Sequence, residues 1–391
     1  VTPPPGARIA RVLTVKGAVQ DPAWHRALLA VDRAGFLPPT VWGQDGDDWY
    51  SPLALSSSEV QRWLGQDVSI VTQVDDGRPR GEDGRGFTPS SSISQPSLVV
   101  AMLQALDVED GMRVLEIGTG TGYNTALLCE RLGAENVTSI EVDPGVAARA
   151  AANLTDAGYK PHLIVGDGTE AVDAGPYDRM LATVAVARVP AAWVAALSPG
   201  GLLVAPWAPG AGFAPGVLVR LEAGDGAARG RVIGDAAFML ARDHRPPVES
   251  WVAWVDEDDP AAVAGTITAN PRVVSERNTG WTVVLGHLVP GLGYASFEAA
   301  ESNVGAAGEA SVYVFDRAGS WALGEYVPHG APYESLRCGP RDLWAEIGAA
   351  WEVWQAADRP GRDRLGLTVT AEGEHLLWVD APEHVLVLPG G

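Results

Sequence analysis

An α/β fold built on a parallel sheet, followed by an additional C-terminal α+β domain, is predicted by three features of this 391-residue chain. First, the apolar strand Val114-Leu115-Glu116-Ile117 runs into Gly118-Thr119-Gly120-Thr121-Gly122 and then into helical sequence. That is the strand, turn and helix order at which open α/β sheets bind nucleotide-like ligands. Second, two further apolar strands each end in an acid: Val137-Thr138-Ser139-Ile140 in Glu141, and Leu163-Ile164-Val165 in Gly166-Asp167-Gly168. Third, residues 242–391 continue with short apolar runs separated by Gly, Asp and Pro. The resulting division is 1–88 as an N-terminal segment, 89–241 as the ligand-binding domain and 242–391 as the additional domain.

Taken in order, residues 23–34 have helical spacing, and residues 77–86, rich in Gly, Arg and acids, read as a loop. That loop is either a solvated linker or a lid at the rim of the cleft. Ser94-Gln95-Pro96 is a good helix start, and residues 96–106 continue as an apolar helix. The glycines at 118, 120 and 122 remove Cβ atoms where the backbone turns sharply, and the helix over 124–132 presents its positive end nearby. A fourth strand is Tyr177-Asp178-Arg179-Met180-Leu181-Ala182-Thr183. The domain boundary falls at Arg242-Asp243-His244-Arg245-Pro246-Pro247, a polar stretch bearing prolines. Beyond it, residues 281–289, 311–315, 365–369 and 375–380 read as strands. Residues 341–357 read as a helix with Leu343, Trp344, Ile347, Ala350, Trp351 and Trp354 along one face. Eight of the fourteen tryptophans lie beyond residue 250, either as a Trp-packed core or as an aromatic surface that grips a peptide.

A GxGxG turn alone fits a dinucleotide, a methyl donor or tight packing. The acids narrow the choice. A dinucleotide has a pyrophosphate to neutralise, whereas S-adenosyl-L-methionine (SAM) carries a sulfonium cation and suits carboxylates around it. Glu116, Glu141 and Asp167 fit the second ligand, and Glu141, about twenty residues past the glycines, suits the hydroxyls of a ribose. SAM is therefore the predicted cofactor, with S-adenosyl-L-homocysteine as its product.

Four blocks together resemble the protein-L-isoaspartate O-methyltransferases: Ser92-Ile93-Ser94-Gln95-Pro96, the run from 114 to 123, Val165-Gly166-Asp167-Gly168, and Leu197-Ser198-Pro199-Gly200-Gly201. The first block is the most specific to that family. The resemblance covers about residues 87–206 and implies a Rossmann-like class I SAM-dependent methyltransferase core. It also implies site roles. Ser92, Ile93 and Ser94 would line the methionine end of SAM, with Ser97 where the family often carries His or Tyr. Gly118, Thr119 and Gly120 would pass beneath the cofactor, Glu141 and Val142 would meet the ribose, and Asp167 with Gly168 would meet the adenine. Ser94 matches a serine that assists catalysis, although a helix cap is its other reading. Residues 27–38, ending in Phe36-Leu37-Pro38, resemble the family's N-terminal lid element. The family's small-residue run after the fourth strand, close to Gly-Ala-Ala-Ala-Pro, is here Thr183-Val184-Ala185-Val186-Ala187-Arg188-Val189-Pro190. Thr183 is the second catalytic candidate, and Arg188 is either a clamp for a substrate carboxylate or a surface arginine.

The altered acceptor run and the added domain point to the subgroup that methylates an Asp of a constrained, ribosomally made peptide. The ester then closes to aspartimide and opens towards isoaspartate. Repair of L-isoaspartyl residues in proteins is the alternative, and a SAM-binding scaffold without activity is the rival outside the enzyme class. The partner expected is a peptide or protein carrying an Asp or isoAsp carboxylate. A net charge of −21 argues against nucleic acid. Two cysteines, Cys129 and Cys338, and seven histidines without ligand spacing predict no metal. With no signal peptide and no span of about 20 apolar residues, a soluble, cytoplasmic protein is expected, with no membrane partner.

Overall fold

The computed structural model describes residues 6–46, 48–81, 83–170, 175–211, 213–245, 251–299, 308–328 and 330–389. They divide into two compact units that interleave along the chain. The first takes the described residues within Val1–Val184, Pro190–Ala205 and Arg220–Ala228, and the second those within Ala185–Val189, Pro206–Val219 and Arg229–Gly391.

The first unit opens with helices Ala7–Val15 and Pro22–Ala30, the latter started by Asp21, whose carboxylate accepts from Ala23 N at 2.7 Å. An antiparallel sheet follows from β1 (Thr40–Gln44), β2 (Tyr50–Ala54), β3 (Ile70–Val74) and β4 (Pro89–Ile93), in the order β2-β1-β3-β4. The sequence gives little sign of it, because its strands are short and interrupted by Pro and Gly. The loop at 77–86 is tied down where described. Asp75 accepts from the amides of Phe87 and Thr88, and Arg85 bonds Asp45 at 2.6 Å while lying over the Trp49 ring.

Helix Pro96–Ala105 leads into the parallel strands β5 (Val114–Ile117), β6 (Val137–Glu141), β7 (His162–Val165), β8 (Tyr177–Ala182) and β9 (Leu197–Trp207). Their order is β9-β8-β5-β6-β7, every neighbouring pair parallel. The chain winds outward from β5 to β7 and then returns to the other side of β5. The carboxyl end of β5 is thus the switch point at which such sheets open a crevice for ligands. Helices Tyr123–Leu132, Pro144–Asp156 and Ala191–Ala195 complete this layer. A hairpin, β10 (Gly216–Gly224) and β11 (Ala227–Ala236), turns at Asp225-Gly226, both with positive φ, and its residues are shared between the units.

In the second unit, β12 (Val263–Ile267), β13 (Gly293–Glu298), β14 (Ala310–Phe315), β15 (Trp321–Tyr326) and β16 (Tyr333–Cys338) form an antiparallel sheet ordered β12-β16-β15-β14-β13. A second hairpin, β17 (Leu365–Thr370) and β18 (His375–Val379), joins the order β18-β17-β11-β10. The expected strand at 281–289 is corrected: most of it lies in helix Thr279–Leu288. Asn278 starts that helix by accepting from Gly280 N and Trp281 N. The helix buries Trp281, Val283, Val284 and Leu285, and a helix buried that broadly shows no polar face to give it away. Trp281 packs edge-on to Trp351 at 4.8 Å and against Trp354 of helix Leu343–Ala356; Trp281 and Trp354 are core, and Trp351 is half-buried beside them. Of the expected boundary, Arg242–His244 form a short helical turn, and Pro246 and Pro247 lie outside the described residues.

Also in this unit, Trp207 packs against the rings of His287 and His375 at 6.1 and 6.4 Å. Burial pushes both imidazoles down from 6.5 to about 4, helped at His287 by His375 and Arg188, and at His375 by Arg188. Between those pH values the unfolded chain binds more protons than the folded one. Stability is therefore complete above pH 6.5 and falls as the pH drops towards 4, by on the order of 3 kcal/mol for either ring. Urea melts at pH 7.5 and 4.5 should register this loss, and His287→Gln should reduce it. An unchanged pH slope in that variant would count against the assignment.

Candidate functional site

The switch point is shaped by three glycines in the left-handed region: Gly118 at φ +92°, Gly120 at +56° and Gly122 at +88°. A Cβ on Gly118 would sit 2.9 Å from Thr183 Oγ1. A Cβ on Gly120 would project towards the Ser92 carbonyl, 3.7 Å away, so glycine keeps open the space between the turn and β4. Gly122 begins helix Tyr123–Leu132. Ile140 O receives the amides of Gly118 and Thr119 at 2.8 and 3.1 Å, which pins the turn to β6.

Two carboxylates brace this turn differently. Glu141, half-buried at the end of β6, accepts from Gly120 N at 2.9 Å and from Asp143 N at 3.1 Å. Glu116, expected as a cofactor contact, is fully buried. Its register partner on β6 is Ser139, which donates to it at 2.7 Å, while Asn124 and Thr125 donate at 2.6 and 2.5 Å. Burial pushes its carboxyl up from the ordinary value, against the opposing pull of these hydrogen bonds. Glu116 therefore anchors strand to helix and presents no oxygen to a ligand. Thr119 joins this network through a 2.7 Å contact with Ser139 Oγ.

At the end of β7, Asp167 Oδ1 accepts from the Thr169 amide and hydroxyl at 2.8 and 2.7 Å. Its Oδ2 makes no hydrogen bond among the described residues. Gly168 is required by packing, since a Cβ there would meet Ile117 Cγ2 at 2.7 Å, and its carbonyl accepts from Trp193 Nε1. Val142 is half-buried beside Glu141.

Ser92 and Ile93 end strand β4, paired with Val71 and Ile70. The Ser94 hydroxyl makes no hydrogen bond among the described residues, and Ser94 is not the helix cap. Gln95 occupies that position, and Asp67, from the segment before β3, accepts the first-turn amide of Ser97 at 2.8 Å. Ser97 Oγ accepts from Gln95 Nε2 at 3.1 Å, so both of its polar groups already have partners within the protein. Thr183 donates its hydroxyl to Gly118 O at 2.6 Å and thereby supports the glycine turn; that proton is not directed at a substrate. Arg188 is exposed within the second unit and donates to Gly373 O at 2.9 Å.

Sequence reasoning missed Arg33. It is 2 % exposed and donates to the carbonyls of Val68 at 2.7 Å, Ser94 at 3.1 Å and Ile93 at 3.4 Å, fixing the end of β4. Burial lowers its pKa to about 10, which leaves it charged at neutral pH. An arginine set among the apolar residues of Val31-Asp32-Arg33-Ala34-Gly35-Phe36-Leu37 was the available signal.

Carboxylates thus stand at the carboxyl ends of β6 and β7, beside a turn whose space a Cβ would fill. The segments 116–125, 141–145 and 167–169 contain no Lys or Arg. This acidic surrounding suits a cationic adenosyl sulfonium. Glu141→Ala should weaken SAM binding at least tenfold, about 1.4 kcal/mol, with little change in stability. Glu116→Ala, which deprives the buried Thr125 and Ser139 hydroxyls and the half-buried Asn124 amide of their acceptor, should lower stability by about 3 kcal/mol. Calorimetry and urea melts separate the two roles, and equal effects of both variants on SAM affinity would contradict them.

The model of the protein-L-isoaspartate(D-aspartate) O-methyltransferase family matches residues 84–224. A protein-L-isoaspartate O-methyltransferase of Anaeromyxobacter dehalogenans is 41% identical over 156 residues, 39% of this chain and 70% of the relative. Protein-L-isoaspartate O-methyltransferase 1 of another Anaeromyxobacter is 37% identical over 216 residues, 54% of this chain and 82% of the relative. A solved protein-L-isoaspartate O-methyltransferase structure shares the fold over 96% of this chain and 100% of its own, with a TM-score of 0.56 at 20% identity. The chain belongs to the protein-L-isoaspartate O-methyltransferase family, enzymes built on a class I core that use S-adenosyl-L-methionine.

Proposed function

We propose that the protein methylates the free carboxylate of L-isoaspartyl residues in proteins or peptides, giving a methyl ester and S-adenosyl-L-homocysteine. The observation that carries this reading is the end of β4, where the Ser92 carbonyl borders the glycine cradle and the Ser94 hydroxyl is left without a partner among the described residues. The activity named for relatives matched over 70% and 82% of their length supports the substrate.

When bound, SAM supplies an electrophilic methyl carbon. An acceptor carboxylate with a pKa of about 4 is already ionised at neutral pH, so no general base is needed. The protein's work is alignment and exclusion of water. Glu141, at the end of β6, would hold the ribose, and Asp167, at the end of β7, would meet the adenine. Ser94 donates its hydroxyl hydrogen to one acceptor oxygen and so aims the other. Arg33 holds the Ser94 carbonyl and with it the serine's position.

The second reading, methylation of an Asp in a constrained ribosomally made peptide, leading to aspartimide or isoaspartate, is favoured by one observation. Thr183-Val184-Ala185-Val186-Ala187-Arg188-Val189-Pro190 departs from the family's small-residue run. Two facts weigh on the other side. The Thr183 hydroxyl is accounted for by its bond to Gly118 O, and the added C-terminal region has a counterpart in the whole-chain fold match. Among the described residues no helix is long and apolar enough to cross a membrane. A cytoplasmic site of action and freedom from nucleic-acid partners, the latter in keeping with the charge of −21, complete the proposal.

Matched linear and cyclised peptides bearing Asp or L-isoAsp, incubated with protein and SAM, decide the substrate by mass. A gain of one methyl on linear isoAsp alone is expected. Methylation confined to the Asp peptides, followed by loss of methanol, would replace this reading with the second. Ser94→Ala should lower kcat by about 10- to 100-fold with SAM affinity kept within about twofold. Undiminished turnover would remove Ser94 from the reaction.

A further inference from the structure

The antiparallel sheet of the second unit ends in two unlike edges. At one, β13 carries Glu298, which Arg272 binds, and Phe297, on which Trp251 packs at 5.2 Å. At the other, β12 pairs with β16 over five consecutive residues without a bulge, from Val263 opposite Arg337 to Ile267 opposite Tyr333. The far side of β12 is open. Val263, Ala264, Gly265 and Thr266 are all exposed, Val263 at 57%, and the backbone of Val263–Ile267 makes no hydrogen bond outside that ladder among the described residues. In an antiparallel ladder alternate residues turn both N–H and C=O away from the partner, so donors and acceptors stand ready at this edge. Folded proteins ordinarily guard such an edge with a charge, a proline or a bulge, and Val263-Ala264-Gly265-Thr266-Ile267 has none of the three.

The pleat gives this edge two different faces. Ile267 lies on the helix side, where its Cδ1, Pro271 and Trp344 surround the space above Gly324. Val263 and Gly265 share that side by alternation. Ala264 and Thr266 lie on the opposite face, with their register partners Leu336 and Glu334. That face is acidic. Asp259 accepts from Cys338 Sγ at 3.5 Å, Glu257 accepts from the Tyr313 hydroxyl at 2.7 Å, and Glu334 is exposed. No Lys or Arg occurs in residues 251–271, and Arg337, on the helix side, pairs with Asp342 at the start of helix Leu343–Ala356.

We propose that β12 is a docking edge for an extended polypeptide segment in which Lys or Arg alternates with apolar residues. Added as a further strand, the segment completes the open ladder through its backbone. Its cations then fall on the face of Asp259 and Glu334, and its apolar side chains follow Val263 and Ile267. Charge selects this occupant over a second copy of the chain, because two molecules at −21 repel each other and a cationic segment is attracted.

The test uses the intact protein and a fluorescein-labelled peptide of Lys-Val repeats about eight residues long, a usual strand length. Anisotropy gives the affinity, and hydrogen–deuterium exchange gives the place. Binding should slow exchange within Val263–Ile267, and a Glu-Val peptide of the same length should bind more weakly by about tenfold or more. N-methylation of alternate peptide amides separates strand addition from plain attraction to an acidic surface. Methylating the set that faces β12, either the Lys or the Val amides, should weaken binding about tenfold, whereas methylating the other set should change it by less than about threefold. Thr266→Lys, which puts a cation on the acidic face beside Glu334, should weaken binding about fivefold with SAM affinity unchanged. Equal effects of the two methylated sets, or no slowing of exchange at β12, would overturn the proposal. A dimer of the protein alone by sedimentation, with its β12 amides already protected, would give the edge to a second copy and overturn it as well.

Discussion

Three left-handed residues within five positions are the constraint on which the first unit depends. The left-handed region costs a residue with a Cβ roughly 1–2 kcal/mol, so Gly118, Gly120 and Gly122 make the turn possible. They do not hold it in place. That falls to the β5–β6 register, which sets Glu116 opposite Ser139 and Ile117 opposite Ile140. Ile140 O then receives two turn amides, Glu116 ties the strand to the helix that follows, and Glu141 closes on Gly120 N. One carboxylate lies fully buried beneath the turn, while the other lies half-buried at its rim.

The N-terminal segment brings the other wall. Its antiparallel sheet ends in β4, so Ser92 and Ser94 arrive on a strand edge, where backbone pairing limits their movement. Arg33 adds a buried charge to that arrangement. A guanidinium that receives no carboxylate would be unfavourable in an apolar site, and carbonyl oxygens of Val68, Ile93 and Ser94 offset part of its desolvation. The result is a strand end at Ser94 whose geometry depends on a residue more than sixty positions upstream.

The parallel core was legible in the sequence because β5, β6 and β7 are mainly apolar runs that end in an acid or run into Gly. The N-terminal sheet was not, since Tyr50–Ala54 and Pro89–Ile93 carry prolines and serines in place of apolar alternation. Helix Thr279–Leu288 reads as a strand in the sequence because β-branched residues and Trp fill a helix that is largely buried. At the site, sequence could pair Glu141 with the glycines by spacing. It could not separate Glu116 from Glu141, because both are acids in apolar strands and only side-chain direction distinguishes them. Ser97, Thr183 and Arg33 depend on long-range hydrogen bonds to Asp67, Gly118 and β4, which leave no local trace.

The proposed division of labour places cofactor binding on the glycine turn, Glu141 and Asp167, and carboxylate orientation on Ser94. Its central claim is the cofactor's position, and a crystal structure of the protein with S-adenosyl-L-homocysteine tests that claim most directly. The ribose hydroxyls are expected within hydrogen-bond distance of Glu141, the adenine beside Asp167, and the homocysteine sulfur between Gly120 and the Ser92–Ser94 strand end. Ligand density elsewhere, or a ribose turned away from Glu141, would contradict the account.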